Sequence, residues 1–335
     1  MGIDLALFNN RLEFTAEWYK NTSEDLLYAV PVPEQAGVSN TTVTMNAASM
    51  NNSGFEFSAT YRNRDRDFKY ELSANLSTLR NRVTSLGFGT DSYISGAYIT
   101  NVGQEIGQFY GWAYEGIART QEDLDNHATQ EGAQIGDCLY KDISGPDGKP
   151  DGKVDANDQV VLGSGMPKIH FGLNARFEYK RFDLSIATFG ALNYHVSDDI
   201  YNSLNSCYGW GNKEVGMLDA NRFSEDGSTY LSNVPRTYVT NSASLGWNDL
   251  FSSRKIQNAA YWKIANVELG YNFPNEWFGK YVSDVRFYVS AQNLHTFTGY
   301  HGYNVDYAGG TFTPGYNFCS YPTARTFMCG VHFTF

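Results

Sequence analysis

The sequence predicts an all-β protein, an antiparallel transmembrane β-barrel, of which this chain supplies about nine strands. Three observations predict it. The chain carries 24 Tyr, 22 Phe, 6 Trp and 32 Gly, a composition that favours strands joined by many turns. Apolar and polar residues alternate at period two in segment after segment. The connections alternate short and long, as in a barrel with tight turns on one side of a membrane and long loops on the other.

The elements follow in chain order. Ile3, Leu5 and Leu7 alternate with Asp4 and Ala6, so the chain opens as if inside a strand. These first residues lack the cationic start and apolar core of a signal peptide, and the chain reads as a piece of something longer. After a tight turn at Asn9-Asn10-Arg11, Leu12, Phe14, Ala16 and Trp18 share one face, with Glu13, Thr15, Glu17 and Tyr19 on the other. Phe55, Phe57, Ala59 and Tyr61 repeat the pattern. Phe68, Tyr70, Leu72, Ala74 and Leu76 extend it beyond a charged turn.

Phe171, Leu173, Ala175, Phe177 and Tyr179 resume the alternation, and Lys180-Arg181 turns the chain into Phe182, Leu184 and Ile186. Tyr261, Lys263, Ala265, Val267, Leu269, Tyr271 and Phe273 form a less regular strand, because Lys263 interrupts its apolar face. Val285, Phe287, Val289 and Ala291 come next. The last strand sets Phe327, Cys329, Val331, Phe333 and Phe335 against Thr326, Met328, Gly330, His332 and Thr334.

Short connections fall at 9–11, 63–67, 180–181 and 274–283, and long extracellular loops at 20–52, 80–167, 190–259 and 294–323. The C-terminus therefore lies on the short-turn side. Glu13, Glu17, Glu56, Glu71, Arg176, Glu178 and Arg286 fall on the lumen side, a polar interior suited to water or a plug. A secreted carbohydrate-binding β-sandwich would also alternate, but it does not account for four long loops on one side or for strands of bilayer-spanning length.

Composition excludes other classes. No run of 18 apolar residues is present, which rules out a helical span. A net charge of −11 argues against a nucleic-acid partner, which requires a basic surface. Cys138, Cys207, Cys319 and Cys329 show no metal-ligand spacing, and Cys207 and Cys319 fall in loops of one side, which leaves a disulfide between them open.

Several stretches resemble one family. They are Gly103 to Ile117, the Asp-Gly-rich run before Val161-Leu162-Gly163, Pro167 to Gly172, Tyr261 to Tyr271, Val285 to Leu294 continuing through Thr296 to Tyr300, and Tyr321 to Thr326. In order and spacing they resemble SusC-like (RagA-like) TonB-dependent transporters over nearly the whole chain. The resemblance implies a bacterial outer-membrane location and no enzymatic activity. It implies uptake of an oligosaccharide or peptide, captured with a SusD-like surface lipoprotein and driven by the TonB complex. It also implies a plug and a TonB-contacting segment inside a barrel of about 22 strands. Neither part is recognised in this chain, so the resemblance implies the C-terminal part of that larger barrel, with contact to TonB expected through a missing N-terminal part. A passive outer-membrane pore is the alternative within membranes. The chain's ending resembles the assembly signal of bacterial outer-membrane proteins, with Gly330, Phe333 and Phe335 at the expected spacing and Met328 where a large polar residue is usual.

Two further sets of residues are candidate sites. Tyr201, Tyr208, Trp210, Trp247, Tyr300, Tyr303 and Tyr307 crowd the loops, and as a cluster they suit contact with a ligand or a lid. Asp147, Asp151, Asp155 and Asp158, with Gly152, are spaced like a calcium loop within 142–158, with Asp142 as a substitute ligand. Lys149 stands where a ligand belongs, and a solvated acidic turn is the alternative reading. His195 lies near Ser197, Asp198 and Asp199, but adjacency in one loop does not make a catalytic triad.

Overall fold

A computed structural model describes residues 1–31, 42–87, 89–145, 147–207, 211–237, 246–278, 282–306 and 309–335. Nine strands run through it as an antiparallel meander, each beside its neighbour in sequence. They are β1 (Gly2–Leu7), β2 (Leu12–Pro31), β3 (Thr42–Asn63), β4 (Phe68–Thr78) and β5 (Ile169–Tyr179). β6 (Phe182–Leu192), β7 (Tyr261–Asn272), β8 (Asp284–Thr298) and β9 (Thr326–Thr334) complete the wall. Among the described residues β1 and β9 are paired on one side only.

The short turns fix the register. Phe8, Asn9 and Asn10 all take positive φ, so Leu7 can pair with Leu12. Between β5 and β6, Lys180 at φ 55° closes a two-residue turn that pairs Tyr179 with Phe182.

Period two then separates the faces, and the apolar face is the open one. Leu5, Trp18, Phe55, Leu72, Leu173, Phe182, Leu269, Val289 and Val331 are all exposed. The opposite face carries cross-strand ion pairs. Arg62 reaches Glu13 (2.6 Å) and Glu71 (2.9 Å), and Arg286 reaches Asp183 (2.5 Å) and Glu268 (2.7 Å). An apolar outside over a charged inside suits lipid around the wall and water or protein within it.

Aromatic rings bound the outer face at both ends. Near the short turns Phe68 stacks on Phe177 (6.0 Å) and Phe182 meets Tyr271 (4.8 Å). Near the long loops Trp262 stacks on Phe297 (5.4 Å). From Trp262 to Tyr271 along β7 is roughly 30 Å of strand, which at the usual barrel tilt of about 40° gives a band on the order of 25 Å tall. That height matches the apolar belt of an outer-membrane barrel.

Two expectations need correction. Region 20–52 is largely strand: β2 and β3 pair from Lys20 with Ser53 out to Pro31 with Thr42, interrupted by bulges near Leu26. At 20 and 22 residues these strands far exceed the 9–11 that cross a bilayer, so their ends project beyond it. In β7, Tyr261 and Lys263 do not share a face with Val267. Ile264 pairs with Thr188 and Asn266 with Ala187, leaving Ala265 as an extra residue. One extra residue reverses the alternation. Tyr261 and Lys263 therefore turn to the inner face beside Phe189, while Trp262 faces outward.

The long connections also hold structure. Region 80–167 contains a strand, Arg80–Ser85, paired to β3, and a four-stranded sheet of Ser92–Ser95, Tyr98–Asn101, Gln108–Trp112 and Gln159–Ser164. It includes α1 (Gln121–Asn126), whose N-terminus Thr120 and Asp123 close as a capping box. Three buried clusters lie in or against this loop layer: one around Val83, Leu86 and Ile106, one around Cys138, Tyr140 and Val154, and one around Tyr194, Val196 and Tyr261.

Candidate functional site

At the long-loop end of the wall, β6 runs on into a strand, His195–Asp198, that pairs with Gln257–Asn258 and lies parallel to Tyr316–Asn317. Asp198 is the hub. One carboxylate oxygen accepts the Tyr201 N–H (2.9 Å) and caps α2 (Asp199–Leu204). The other accepts from Asn317 Nδ2 (2.9 Å) and from the Tyr300 hydroxyl. Burial, then the adjacent carboxylate, push the Tyr300 phenol well above its ordinary range, so it stays a donor. Its neighbour His195 packs where a Cβ on Gly163 would come within 2.8 Å of the ring, and burial pushes the imidazole below its ordinary value.

Below this hub a recess of about 500 Å³ opens at the barrel mouth, lined by His170, Tyr194, Tyr261 and Met166 from the wall side and by Val305 and Asp306 from the last long loop. Tyr194 donates to the Val305 carbonyl (3.2 Å), and Lys263 Nζ meets Asp306 (2.6 Å). Loop and wall are thus joined across the recess. Nearer the short turns, Arg64, Lys69, Glu71, Arg176 and Glu178 line a second, charged recess of about 420 Å³.

A third cleft of about 620 Å³ lies in the loop layer between Trp112 and Trp247, with Glu131, Asp155 and Leu250 at its edges. The Trp247 indole donates to the Glu131 carbonyl (2.8 Å) and that of Trp112 to the Asp155 carbonyl (3.2 Å). With their N–H groups engaged, the rings are held in place and can offer flat surfaces to a sugar or an apolar side chain. Behind Trp247 stands buried Tyr140, 6.2 Å away ring to ring.

The aromatic candidates therefore separate. Trp247 lines the cleft, Tyr303 stands 64% exposed, and Tyr201 is half-buried and stacked on His301 (5.8 Å). Tyr300 is buried in the Asp198 hub rather than offered to a ligand. Tyr208, Trp210 and Tyr307 lie outside the described residues.

The acidic run folds on its own backbone. Asp158 is buried and accepts from the amides of Ile143 (2.7 Å), Ser144 (2.9 Å) and Asp155 (2.8 Å). Asp142 accepts from Gly152 (2.7 Å), Asp151 from Lys153 (3.0 Å) and Asp155 from Asn157 (2.8 Å), while Asp147 is exposed. Among the described residues no three potential metal ligands gather.

Cys207 and Cys319 are both free thiols, one buried and one exposed, so no disulfide joins them. Burial pushes the thiols of Cys138 to about 12 and Cys207 to about 11, which keeps them protonated and unreactive. In β9, Gly330 leaves room for the Tyr288 ring, 2.6 Å from where a Cβ would stand, while Phe333 and Phe335 point outward and are exposed.

The sequence reading missed Trp112, although it sits in the aromatic run Phe109-Tyr110-Gly111-Trp112 that could have flagged it. It also missed the pairings of Asp198 with Asn317 and of Lys263 with Asp306. These contacts span 119 and 43 residues, and no local pattern announces them.

No family model matches the chain. Over 354 residues the chain is 31% identical to TonB-dependent receptor P3 of Formosa agariphila, a match that takes in all of this chain and 33% of that protein. It is 25% identical to TonB-dependent receptor SusC of Bacteroides thetaiotaomicron over 341 residues, again all of this chain and 31% of that one. In structure it superposes on the RagAB peptide transporter with a TM-score of 0.77 at 23% identity, covering 98% of this chain and 34% of the other. The chain spans about a third of the length of the relatives it matches.

Proposed function

We propose that this chain, SusC/RagA-like and similar to a stretch of TonB-dependent receptors, builds wall and loop layer of a receptor importing a large nutrient across the outer membrane. The cargo is an oligosaccharide or a peptide. A SusD-like lipoprotein covers the loop side, and energy arrives from the TonB complex through parts of the receptor beyond this stretch. The barrel wall admits and holds cargo; it performs no chemistry on it.

One observation carries this reading: the wall exposes its apolar face and pairs its charges within, while the folded loop layer stands at one end. The Trp112–Trp247 cleft and exposed Tyr303 are the surfaces through which that layer meets cargo or lid. The terminal Gly330, Phe333 and Phe335 act as the assembly signal, and Phe335→Ala lowers the amount of heat-modifiable barrel. A calcium ion in 142–158 would draw on Asp142 and Asp151, whose carboxylates accept backbone amides and keep further lone pairs for a cation.

The test is uptake. Labelled oligosaccharides and peptides are offered to host cells expressing the full receptor, with and without TonB. Accumulation of one class that depends on both receptor and TonB supports the reading. A full receptor that fractionates as a soluble protein, or uptake indifferent to TonB, contradicts it.

A further inference from the structure

Lys263 stands apart from the other cations of the inner wall. Arg62 and Arg286 are paired by carboxylates of other wall strands and lie near the short turns. Lys263 lies at the opposite end, turned inward by the bulge at Ala265, with its ammonium 5.7 Å from the Phe189 ring centre. Its side chain is 5% exposed. Among the described residues its single ion-pair partner is Asp306, which comes from the last long loop and is itself 32% exposed. The recess of about 500 Å³ opens beside this pair, with Asp306 and Tyr261 in its lining. That volume lies within the range of small-ligand sites.

From this arrangement we propose that Lys263 is a carboxylate-recognition site of the transport lumen, occupied here by the protein's own Asp306, and that the cargo carries a carboxylate that displaces it. The inference rests on the transport reading and sharpens it to an anionic cargo. The physical reason is exchange. A buried ammonium left without a counter-charge is strongly unfavourable, so the loop cannot withdraw Asp306 unless another anion takes its place. A carboxylate of the cargo meets the same ammonium and leaves no charge bare. Asp306 is the more exposed partner and lies on a loop, so it is the member able to leave. A neutral cargo gains nothing at this position.

A uronic acid and a peptide carboxylate present the same chemistry, and the experiment separates them. The full-length receptor, purified in detergent, is titrated calorimetrically with trigalacturonate, maltotriose, tetra-alanine and tetra-alanine amide. Asp306→Asn removes the internal competitor and raises affinity for an acidic probe by about tenfold, as expected when a larger fraction of the site is free to bind. Lys263→Met abolishes that binding and leaves the neutral probes unchanged, whereas Lys263→Arg keeps the preference for acid. Heat-modifiable migration establishes that each variant is a folded barrel. A response confined to trigalacturonate assigns a uronic acid, one confined to tetra-alanine a peptide terminus, and both together a general carboxylate site. Acid and neutral probes that bind alike in wild type and in all folded variants overturn the inference and leave the transport reading standing. Absence of binding by all four probes overturns the inference, and TonB-dependent uptake then decides the transport reading separately.

Discussion

The wall and the loop layer are made by one chain under opposite rules. In the wall, Leu173, Phe182, Leu269 and Val331 are exposed while Arg286 is drawn onto Asp183 and Glu268. In the loop layer, Phe109, Tyr140, Tyr194 and Tyr230 are fully buried, and carboxylates go inside with donors around them, Asp158 with three backbone amides and Asp137 with Arg236. The difference teaches that burial is defined by the solvent each part meets. Lipid makes an apolar surface inexpensive and an unpaired backbone group costly, so the wall closes its hydrogen bonds strand to strand and leaves side chains outside. Water reverses the preference, and the loops need a conventional core.

Substitutions that respect one rule and break the other test this contrast. The largest effect is expected in the loop layer. Tyr140→Ala empties a site packed against Trp247 and removes a hydrogen bond to its carbonyl, at a cost of about 3–5 kcal/mol to that layer. Proteolysis of the loops should accelerate sharply while the heat-modifiable barrel survives. Simultaneous loss of both would merge the two regions into one cooperative unit. Next in size is Leu173→Arg on the outer face of β5, expected to cost about 2–4 kcal/mol in a lipid refolding equilibrium. Asn174→Arg, one residue along and facing inward, should cost far less. Equal costs would remove the distinction between the faces.

Smaller in energy but clear in outcome is thiol labelling. A membrane-impermeant maleimide applied to intact cells should modify Cys319, exposed in the last loop. It should spare Cys329, which lies with Phe327 and Val331 on the lipid face, and buried Cys138 and Cys207. Modification of Cys329 would place the outer face in water. The smallest effect concerns His195. Burial lowers its folded pKa, so below the ordinary value of about 6.5 the unfolded loop binds more protons than the folded one. The loop layer should lose stability as pH falls from that value through the lower folded one, and His195→Gln should flatten the dependence. A loop layer that strengthens on acidification would contradict the buried neutral ring.

The wall was legible in the sequence because period two is local. All nine strands could be placed from alternation alone, including β9 with its aromatic end. What escaped was a single insertion. Ala265 leaves the composition of β7 unchanged yet reverses the face of Lys263, so an apparent flaw in the pattern was the sign of a bulge. The loop layer was hidden for another reason. Its strands are two to six residues long, too short to show a period, and its decisive contacts, such as Asp198 with Tyr300 and Asn317, join residues over a hundred positions apart or paired only through the fold. The acidic run was readable as a turn, but sequence does not tell which of its carboxylates face backbone amides.

The most direct test of the inverted wall is a spin-label scan of β7 in the full-length receptor reconstituted into bilayers, read by collision with oxygen and with a water-soluble nickel complex. The account predicts oxygen-accessible labels at Trp262, Val267, Leu269 and Tyr271 and nickel-accessible or shielded ones at Lys263, Asn266, Glu268 and Gly270, with the alternation reversing across Ala265. Uniform access to nickel along both faces would contradict a lipid-facing wall and with it the reading of this chain as part of a membrane barrel.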